Sequence, residues 1–156
     1  MIGYQPGLCA GNKDQENILH ICARRQFTKD LFDIIWNNLS DTGGYKSELV
    51  KEVDAEGNLP LEVAARFGDK YMCETLLDYV KNKSQADEVY RLVGRAAHEA
   101  SEAGHSNILE RIIELDFKTF EMKKIFQLPN EYGYTCLHLA AAEGNIQTFS
   151  YISIKS

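Results

Sequence analysis

The sequence has no apolar run that could cross a bilayer and no concentration of positive charge. No stretch reaches the roughly eighteen consecutive apolar residues of a transmembrane helix, so we expect no membrane span. The formal net charge is −6 at pH 7, and because proteins that bind nucleic acid usually present a basic surface, nucleic acid is not the expected partner. The first residues lack a basic segment followed by an apolar one, so we expect no secretory signal.

The cysteines are too scattered to form a recognisable redox or zinc motif. No two of Cys9, Cys22, Cys73 and Cys136 have C-x-x-C spacing. Cys22 and Cys136 fall where a helical pattern needs a small apolar residue, which favours free thiols over a disulfide framework. Together with the missing signal, this predicts an intracellular, cytoplasmic protein. A length of 156 residues predicts a single domain spanning 1–156.

Motifs for phosphate binding, metal binding and catalysis are also missing. The chain contains neither G-x-x-x-x-G-K-S/T nor G-x-G-x-x-G. His98 and Glu99 do not begin an H-E-x-x-H motif, because position 102 is Glu102. Cys136 stands near His138, but side chains two residues apart at the start of a helix diverge, which disfavours a cysteine nucleophile. We therefore expect no enzyme activity, no metal and no cofactor.

What the sequence does contain is one motif repeated four times in phase. The best copy reads T-C-L-H-L-A-A-A-E-G-N and begins at Thr135, and its anchor is His138. The anchors of the weaker copies are His20, Glu62 and His98. An internal repeat means that each copy is one stacking element rather than a separate active site.

Each copy predicts a helix, a turn and a second helix. Small residues follow every anchor by two and three positions, and they let neighbouring helices approach closely. Six positions after the anchor stands a glycine, replaced by Gln26 in the first copy, which can end the helix in a left-handed conformation. Apolar residues eleven and fourteen positions after the anchor should face inward on the second helix. These pairs are Leu31 and Ile34, Cys73 and Leu76, Leu109 and Ile112, and Phe149 and Ile152.

The repeated motif resembles the ankyrin repeat, D-x-x-G-x-T-P-L-H-x-A-A-x-x-G, which forms a β-turn and two helices in about 33 residues. The last copy is the most similar, with Cys136 in place of proline. The second matches from Asp54 to Gly68 except at Leu59 and at Glu62, which replaces the histidine. The resemblance implies an all-α, ankyrin-type helical repeat solenoid with short β-turn fingers and helical insertions. It implies four units, two of them degenerate, at approximately 12–40, 54–82, 90–116 and 130–156.

The same resemblance gives the recurring histidines a structural role, in which each bonds neighbouring backbone groups rather than a metal or substrate. The chain departs from the pattern in its connections, because every anchor spacing exceeds the family period. Residues 47–53 could add a short helical turn. The third unit has no D-x-x-G turn, and the capping-box-like spacing of Ser84 and Asp87 predicts a helix through 85–91 instead.

Two further apolar segments lie around the last unit. Before it, a stretch predicts an extra helix beneath the last finger. After it, the helix from Ile146 to about Ile154 carries an apolar face that stacking repeats normally cover. We expect either that the chain is a fragment of a longer protein or that this face pairs with another copy. The stretch before the unit contains Phe117, Phe120, Met122, Ile125 and Phe126.

The expected function is recognition of a protein or peptide, since ankyrin-type stacks usually bind targets on the concave face formed by finger tips and first-helix ends. By this resemblance the groove is basic with one aromatic in its N-terminal half, and acidic with two tyrosines in its C-terminal half. Such polarity would orient a partner, and Phe67, Tyr132 and Tyr134 are the best hot-spot candidates. The candidate partner-binding residues are Arg24, Arg25, Glu56, Asn58, Arg66, Phe67, Glu102, Glu131, Tyr132, Tyr134 and Glu143.

Two alternatives remain open at this point. The chain could be a structural or regulatory segment of a larger assembly, such as the cytosolic region of a channel or the repeat part of a bacterial effector. The candidate residues could also be ordinary solvated side chains, with the partner bound elsewhere.

Overall fold

A computed structural model describes residues 12–115 and 122–155 as an all-α helical repeat. These ranges contain two short 3-10 helices, Thr42–Gly44 and Met122–Gln127, and no β-strand. The predicted fold class, an ankyrin-type helical repeat, is confirmed. The α-helices are α1 Ile18–Arg25, α2 Lys29–Asn38, α3 Tyr45–Lys51, α4 Pro60–Phe67, α5 Lys70–Lys83, α6 Ala86–Ala103, α7 Ser106–Glu114, α8 Cys136–Ala142 and α9 Ile146–Lys155.

The helices form two layers, and each helix packs against the next one in its own layer. The inner layer runs α1, α4, α6 and α8, and the outer layer runs α2, α5, α7 and α9. The small residues predicted to allow close packing are buried in the inner layer, including Ala23, Ala64, Ala65, Ala100 and Ala140, except Ala141, which is exposed. Since a methyl group is all that separates these backbones from their neighbours, larger side chains there would push the layers apart.

The predicted left-handed residues end or follow the inner helices. Gly68, Gly104 and Gly144 have φ values of 73°, 83° and 68°. Gln26 takes the same role in the first pair at φ 49°, although a side chain there is disfavoured. Its side chain offsets part of that cost by donating a hydrogen bond to the carbonyl oxygen of Phe67, 2.9 Å away.

The insertions follow the sequence predictions closely. Helix α3 occupies most of the segment expected to add a helical turn. Helix α6 runs unbroken over 18 residues, so helix replaces a finger in the third unit as predicted. Before the last finger the chain forms a 3-10 helix in which Ile125 and Phe126 are buried. Phe117 and Phe120 lie outside the described residues.

The prediction of which α2 residues face inward is wrong, because the buried positions are shifted by one residue along the helix. Leu31 and Ile34 are 41% and 61% exposed, whereas Phe32 is 2% exposed. The reason lies in the aromatic rings that α2 and α5 share. Phe32 packs edge-on against Tyr71 with ring centroids 6.1 Å apart, and Trp36 packs edge-on against Tyr79 at 5.4 Å. Packing these two rings against α5 outweighs burying the two aliphatic side chains.

Helix α9 leaves part of its apolar surface uncovered. Ile152 is buried against the core, but Ile146, Phe149 and Ile154 are exposed. Phe149 had been expected to face inward, and the buried Thr148 lies beside it instead. None of the described helices combines the length and the apolar character that crossing a membrane would need.

Candidate functional site

Two tight turns, which we call the second finger (residues 54–58) and the last finger (residues 130–134), share one construction. In the second finger the Asp54 carboxylate accepts hydrogen bonds from the backbone N–H groups of Glu56 and Asn58, at 3.0 and 2.8 Å. Gly57 has φ 83°, which glycine adopts without steric cost. The backbone N–H of Asp54 donates to the Asn58 carbonyl at 3.0 Å and closes the turn.

The last finger repeats these bonds with an asparagine in place of the aspartate. The Asn130 side-chain oxygen accepts from the backbone N–H groups of Tyr132 and Tyr134, at 3.0 and 2.9 Å. Gly133 again has φ 83°. Both tyrosine side chains project into solvent and are 76% and 53% exposed, respectively.

Adjacent fingers are joined by a backbone hydrogen bond where both are present. In the first finger (residues 12–16) the Asp14 carbonyl accepts from the N–H of Ala55 in the second finger, at 2.8 Å. The residue equivalent to Ala55 in the last finger is Glu131. Its N–H donates to no other group among the described residues. The difference follows from α6, which replaces the finger that would have preceded the last one.

Two of the three recurring histidines, His20 and His98, link their helices to backbone carbonyls further along the stack. In His20, Nδ1 accepts from the backbone N–H of Asn17 at 3.2 Å, so in the neutral ring the proton is on Nε2. Nε2 donates to the Asn58 carbonyl of the second finger at 2.9 Å. Nε2 of His98 likewise lies 2.8 Å from a backbone carbonyl, that of Leu128, which precedes the last finger instead of lying in it. Burial lowers the pKa of His20, which keeps the ring neutral in this role.

Glu62 occupies the histidine position in the second unit, and its partners explain the substitution. Its carboxylate accepts from the backbone N–H of Leu59 at 2.6 Å and from Nε of Arg95 at 2.8 Å. Arg95 also donates to the carbonyl of Gly57. With no third finger there is no next carbonyl for a histidine to reach, and the group that faces this position is a donor. Burial raises the pKa of Glu62, opposed by the Leu59 N–H and by Arg95.

A cleft of about 720 Å³ lies where the third finger would stand. The second finger forms one wall, residues 128–134 form the other, and α6 forms the floor with Gly94, Arg95 and Glu99 among its residues. The cleft brings together six of the residues predicted from the sequence. They are Glu56, Asn58, Glu102, Glu131, Tyr132 and Tyr134.

The other predicted residues do not line this cleft, and two of the three arginines are not free cations. Nε of Arg24 lies 2.5 Å from the Glu16 carboxylate. Nε of Arg66 lies 2.7 Å from the Glu99 carboxylate, and the same side chain donates to Asn58. The expected basic half of the groove is therefore largely neutralised by internal ion pairs. Arg25, Phe67 and Glu143 are exposed outside the cleft.

The cleft carries more negative than positive charge. It is lined by five glutamates and two arginines. Glu62 and Glu99 form ion pairs with Arg95 and Arg66. The remaining three, Glu56, Glu102 and Glu131, form no ion pair with any residue that the structure describes. The side chains available to a ligand are thus three carboxylates and the exposed guanidinium of Arg91, beside two exposed tyrosine rings.

The potentially reactive side chains are engaged in the fold. Cys22, Cys73 and Cys136 are buried free thiols, and Cys9 lies outside the described residues. Burial raises the pKa of Cys136 to about 11, so the thiolate that a nucleophile requires is scarce at neutral pH. Across 12–115 and 122–155, no group of three or more His, Cys, Asp or Glu side chains is arranged to hold a metal ion.

Comparison with known proteins agrees with this geometry. The ankyrin repeat family model matches residues 132–153, from the last finger into α9. One chain of the crystal structure of the yeast ribosomal protein Rps3 in complex with its chaperone Yar1 is similar, with a TM-score of 0.70 and 18% sequence identity. The similarity covers 94% of this chain and 96% of that one, and it concerns the fold. No curated protein matches the sequence significantly.

These findings define the class of fold. The fold is an ankyrin-type helical repeat, and the sequence match supports the ankyrin family through the last unit.

Proposed function

We propose that the protein is an interaction module that binds a protein or peptide partner on its concave face, with the cleft at the centre of that surface. The observation that carries this proposal is that predicted binding residues from separate elements come together in one place. Residues from the second finger, from the floor helix α6 and from the last finger meet in one solvent-open cleft. Arg25, Phe67 and Glu143 would extend the surface beyond it, and Arg24 and Arg66 would hold its walls through their ion pairs.

The proposal includes a single intracellular domain of four ankyrin units, with the first and third degenerate. The repeated geometry supports this count. The first, second and last fingers each use an Asn or Asp side chain to cap their own backbone. Nε2 of His20 bonds the Asn58 carbonyl of the second finger, and Nε2 of His98 bonds the Leu128 carbonyl just before the last finger. The third unit keeps its two helices and its histidine but has exchanged the finger for additional helix.

The character of the cleft favours a macromolecular partner over a small molecule. Pockets for small molecules are mostly apolar and enclose most of the ligand surface. This cleft is lined by seven charged side chains and is open to solvent along the fingers. Exposed tyrosines are typical anchors of protein interfaces, because each offers a large rigid contact area and a polar group. The chaperone and ribosomal protein in the similar crystal structure likewise form a protein complex.

Affinity capture with matched variants tests this function. The cleft variant carries Tyr132→Ala and Tyr134→Ala, which remove exposed rings. The control carries Leu31→Ala and Ile34→Ala, which remove exposed side chains from the outer layer. Proteins captured from lysate by the wild type, identified by mass spectrometry, should be retained by the control and lost by the cleft variant. Equal capture by both variants would place the partner elsewhere on the molecule.

A second candidate function is assembly through the uncovered end, either with a second copy or as a structural or regulatory segment of a larger assembly. Besides the exposed apolar side chains of α9, Nε2 of His138 makes no hydrogen bond with any described residue, whereas Nε2 of His20 bonds the next finger. At this end, Nε2 of His138 is thus still available to donate a hydrogen bond to a further unit. Sedimentation over a wide concentration range tests the self-association version. Dimerisation that Ile146→Glu abolishes supports it, and a monomer at every concentration contradicts it.

A further inference from the structure

We propose that the cleft binds an extended segment of a partner protein that contains a tight turn and a lysine or arginine side chain. This segment would take the position of the missing third finger. The inference rests on the proposed function, and adds to it the backbone conformation and the charge of the occupant.

The backbone groups on the two sides of the cleft belong to a row of fingers from which one finger is missing. The first two fingers are joined by the bond from Ala55 N–H to the Asp14 carbonyl. The equivalent acceptor on the second finger is the Glu56 carbonyl, and the equivalent donor on the last finger is the Glu131 N–H. Neither group makes a backbone hydrogen bond with the described residues. An inserted segment could therefore donate to one wall and accept from the other, as strands do when they extend a sheet.

Gly94 gives a second, independent indication that the occupant approaches closely. It lies inside the 18-residue helix α6, where glycine is less favourable than alanine because it loses more conformational freedom on folding. The internal packing does not require glycine, since an added Cβ would meet only Cδ1 of Leu128, at an ordinary 3.6 Å. Gly94 and Leu128 both line the cleft, and although Gly94 itself is buried, a side chain added there would narrow the floor beside Leu128.

The charges select a basic side chain on the occupant. Glu56, Glu102 and Glu131 are exposed carboxylates without an ion-pair partner among the described residues. The other two glutamates of the cleft, Glu62 and Glu99, are already paired with arginines. The exposed rings of Tyr132 and Tyr134 add favourable sites for a cation. An acidic segment would meet three like charges and only one exposed opposite charge, the Arg91 guanidinium. A helical segment would satisfy its own backbone and leave the Glu131 N–H without a protein partner.

Selection of peptides on the full 156-residue chain tests the inference. The probe is a phage-displayed library of random peptides closed into short loops by a disulfide. We expect the selected peptides to combine lysine or arginine with turn residues such as glycine and asparagine. Selection of acidic loops, or of apolar residues at helical spacing from a matched linear library, would overturn the inference.

Variants then test the two structural arguments with one synthetic selected peptide. Gly94→Ala should weaken its binding about tenfold, the size of one lost close contact, while the melting temperature stays the same or rises. Glu102→Gln with Glu131→Gln should weaken binding about tenfold, and Glu110→Gln on the outer layer should not. Unchanged binding to the Gly94→Ala variant, or equal losses in the cleft and control glutamate variants, would overturn the inference.

These results separate the inference from the function on which it rests. If the peptide experiments fail but Tyr132→Ala with Tyr134→Ala still abolishes capture of a natural partner, the cleft binds a partner of different chemistry. If the tyrosine variant also captures the partner normally, the proposed function falls as well.

Discussion

Replacing Glu62 with histidine restores the residue that the ankyrin pattern expects, yet we predict that it destabilises the protein. The new ring could keep the hydrogen bond from the Leu59 N–H, as His20 does with the Asn17 N–H. Its Nε2–H, however, would face the guanidinium of Arg95 instead of a carbonyl. The consensus residue is unfavourable here because the finger whose carbonyl would accept a hydrogen bond from Nε2 is missing.

The magnitude follows from the bonds that change. Hydrogen bonds to a charged group contribute about 1.5–3 kcal/mol to stability. The Arg95 side chain is 37% exposed, so water replaces part of the lost bond between Arg95 and Glu62. We expect Glu62→His to lower the free energy of unfolding by about 1–2 kcal/mol, which corresponds to roughly 2–8 °C in Tm for a chain of this size.

Urea denaturation followed by circular dichroism measures this cost, and a double-mutant cycle identifies its cause. In an Arg95→Ala background the histidine no longer faces a cation, so Glu62→His should cost clearly less there than in the wild type. Glu62→Gln keeps a hydrogen-bond acceptor but no charge, so its free energy of unfolding should lie between those of the wild type and Glu62→His. A stabilising effect of Glu62→His, or the same cost with and without Arg95, would refute this explanation of the second unit.

Two further perturbations probe the stacking contacts. Burial lowers the pKa of His20, while its hydrogen bond to the Asn58 carbonyl and the nearby carboxylates oppose the shift, so the folded state binds fewer protons than the unfolded state just below the ordinary histidine pKa of 6.5. The unfolding free energy should therefore fall as the pH drops below that value, and His20→Gln should flatten this dependence; an equally steep slope in the variant would exclude His20 as the cause. Gly68→Ala should destabilise more than Gly133→Ala, by at least about 1 kcal/mol. Both glycines have positive φ, but an added Cβ at Gly68 would lie 2.6 Å from the His105 ring, whereas nothing lies within 4 Å at Gly133. Equal Tm losses would contradict the contact.

The inner layer and the replaced finger could be predicted because they depend on local patterns. Small residues two and three positions after each anchor have one efficient use, which is close helix packing. Ser84 and Asp87, followed by apolar residues at helical spacing, were enough to predict helix where the other units have a turn. The outer layer was harder, because Leu31 and Phe32 are both apolar and only the rings of α5 decide which of them faces inward.

The ion pairs of Arg66 and Arg95 escaped prediction because each joins residues 33 positions apart. The partners of Arg66 and Arg95 lie one unit away along the stack, and a surface arginine gives no local sign of such a partner. The groove was therefore expected to be more basic than it is. One signal was present in the sequence: the only unit with glutamate at the histidine position directly precedes the unit without a finger. Taken together, these two departures indicate a gap and the group that fills part of it.

Amide hydrogen exchange, resolved by nuclear magnetic resonance, tests the central claim that a partner segment completes the interrupted row of fingers. In the free protein the Ala55 amide should exchange slowly, because it bonds the Asp14 carbonyl, and the Glu131 amide should exchange rapidly. Saturation with a selected loop peptide or with the captured partner should slow exchange at Glu131 strongly. Exchange at Glu131 that stays rapid in the saturated complex would contradict the account.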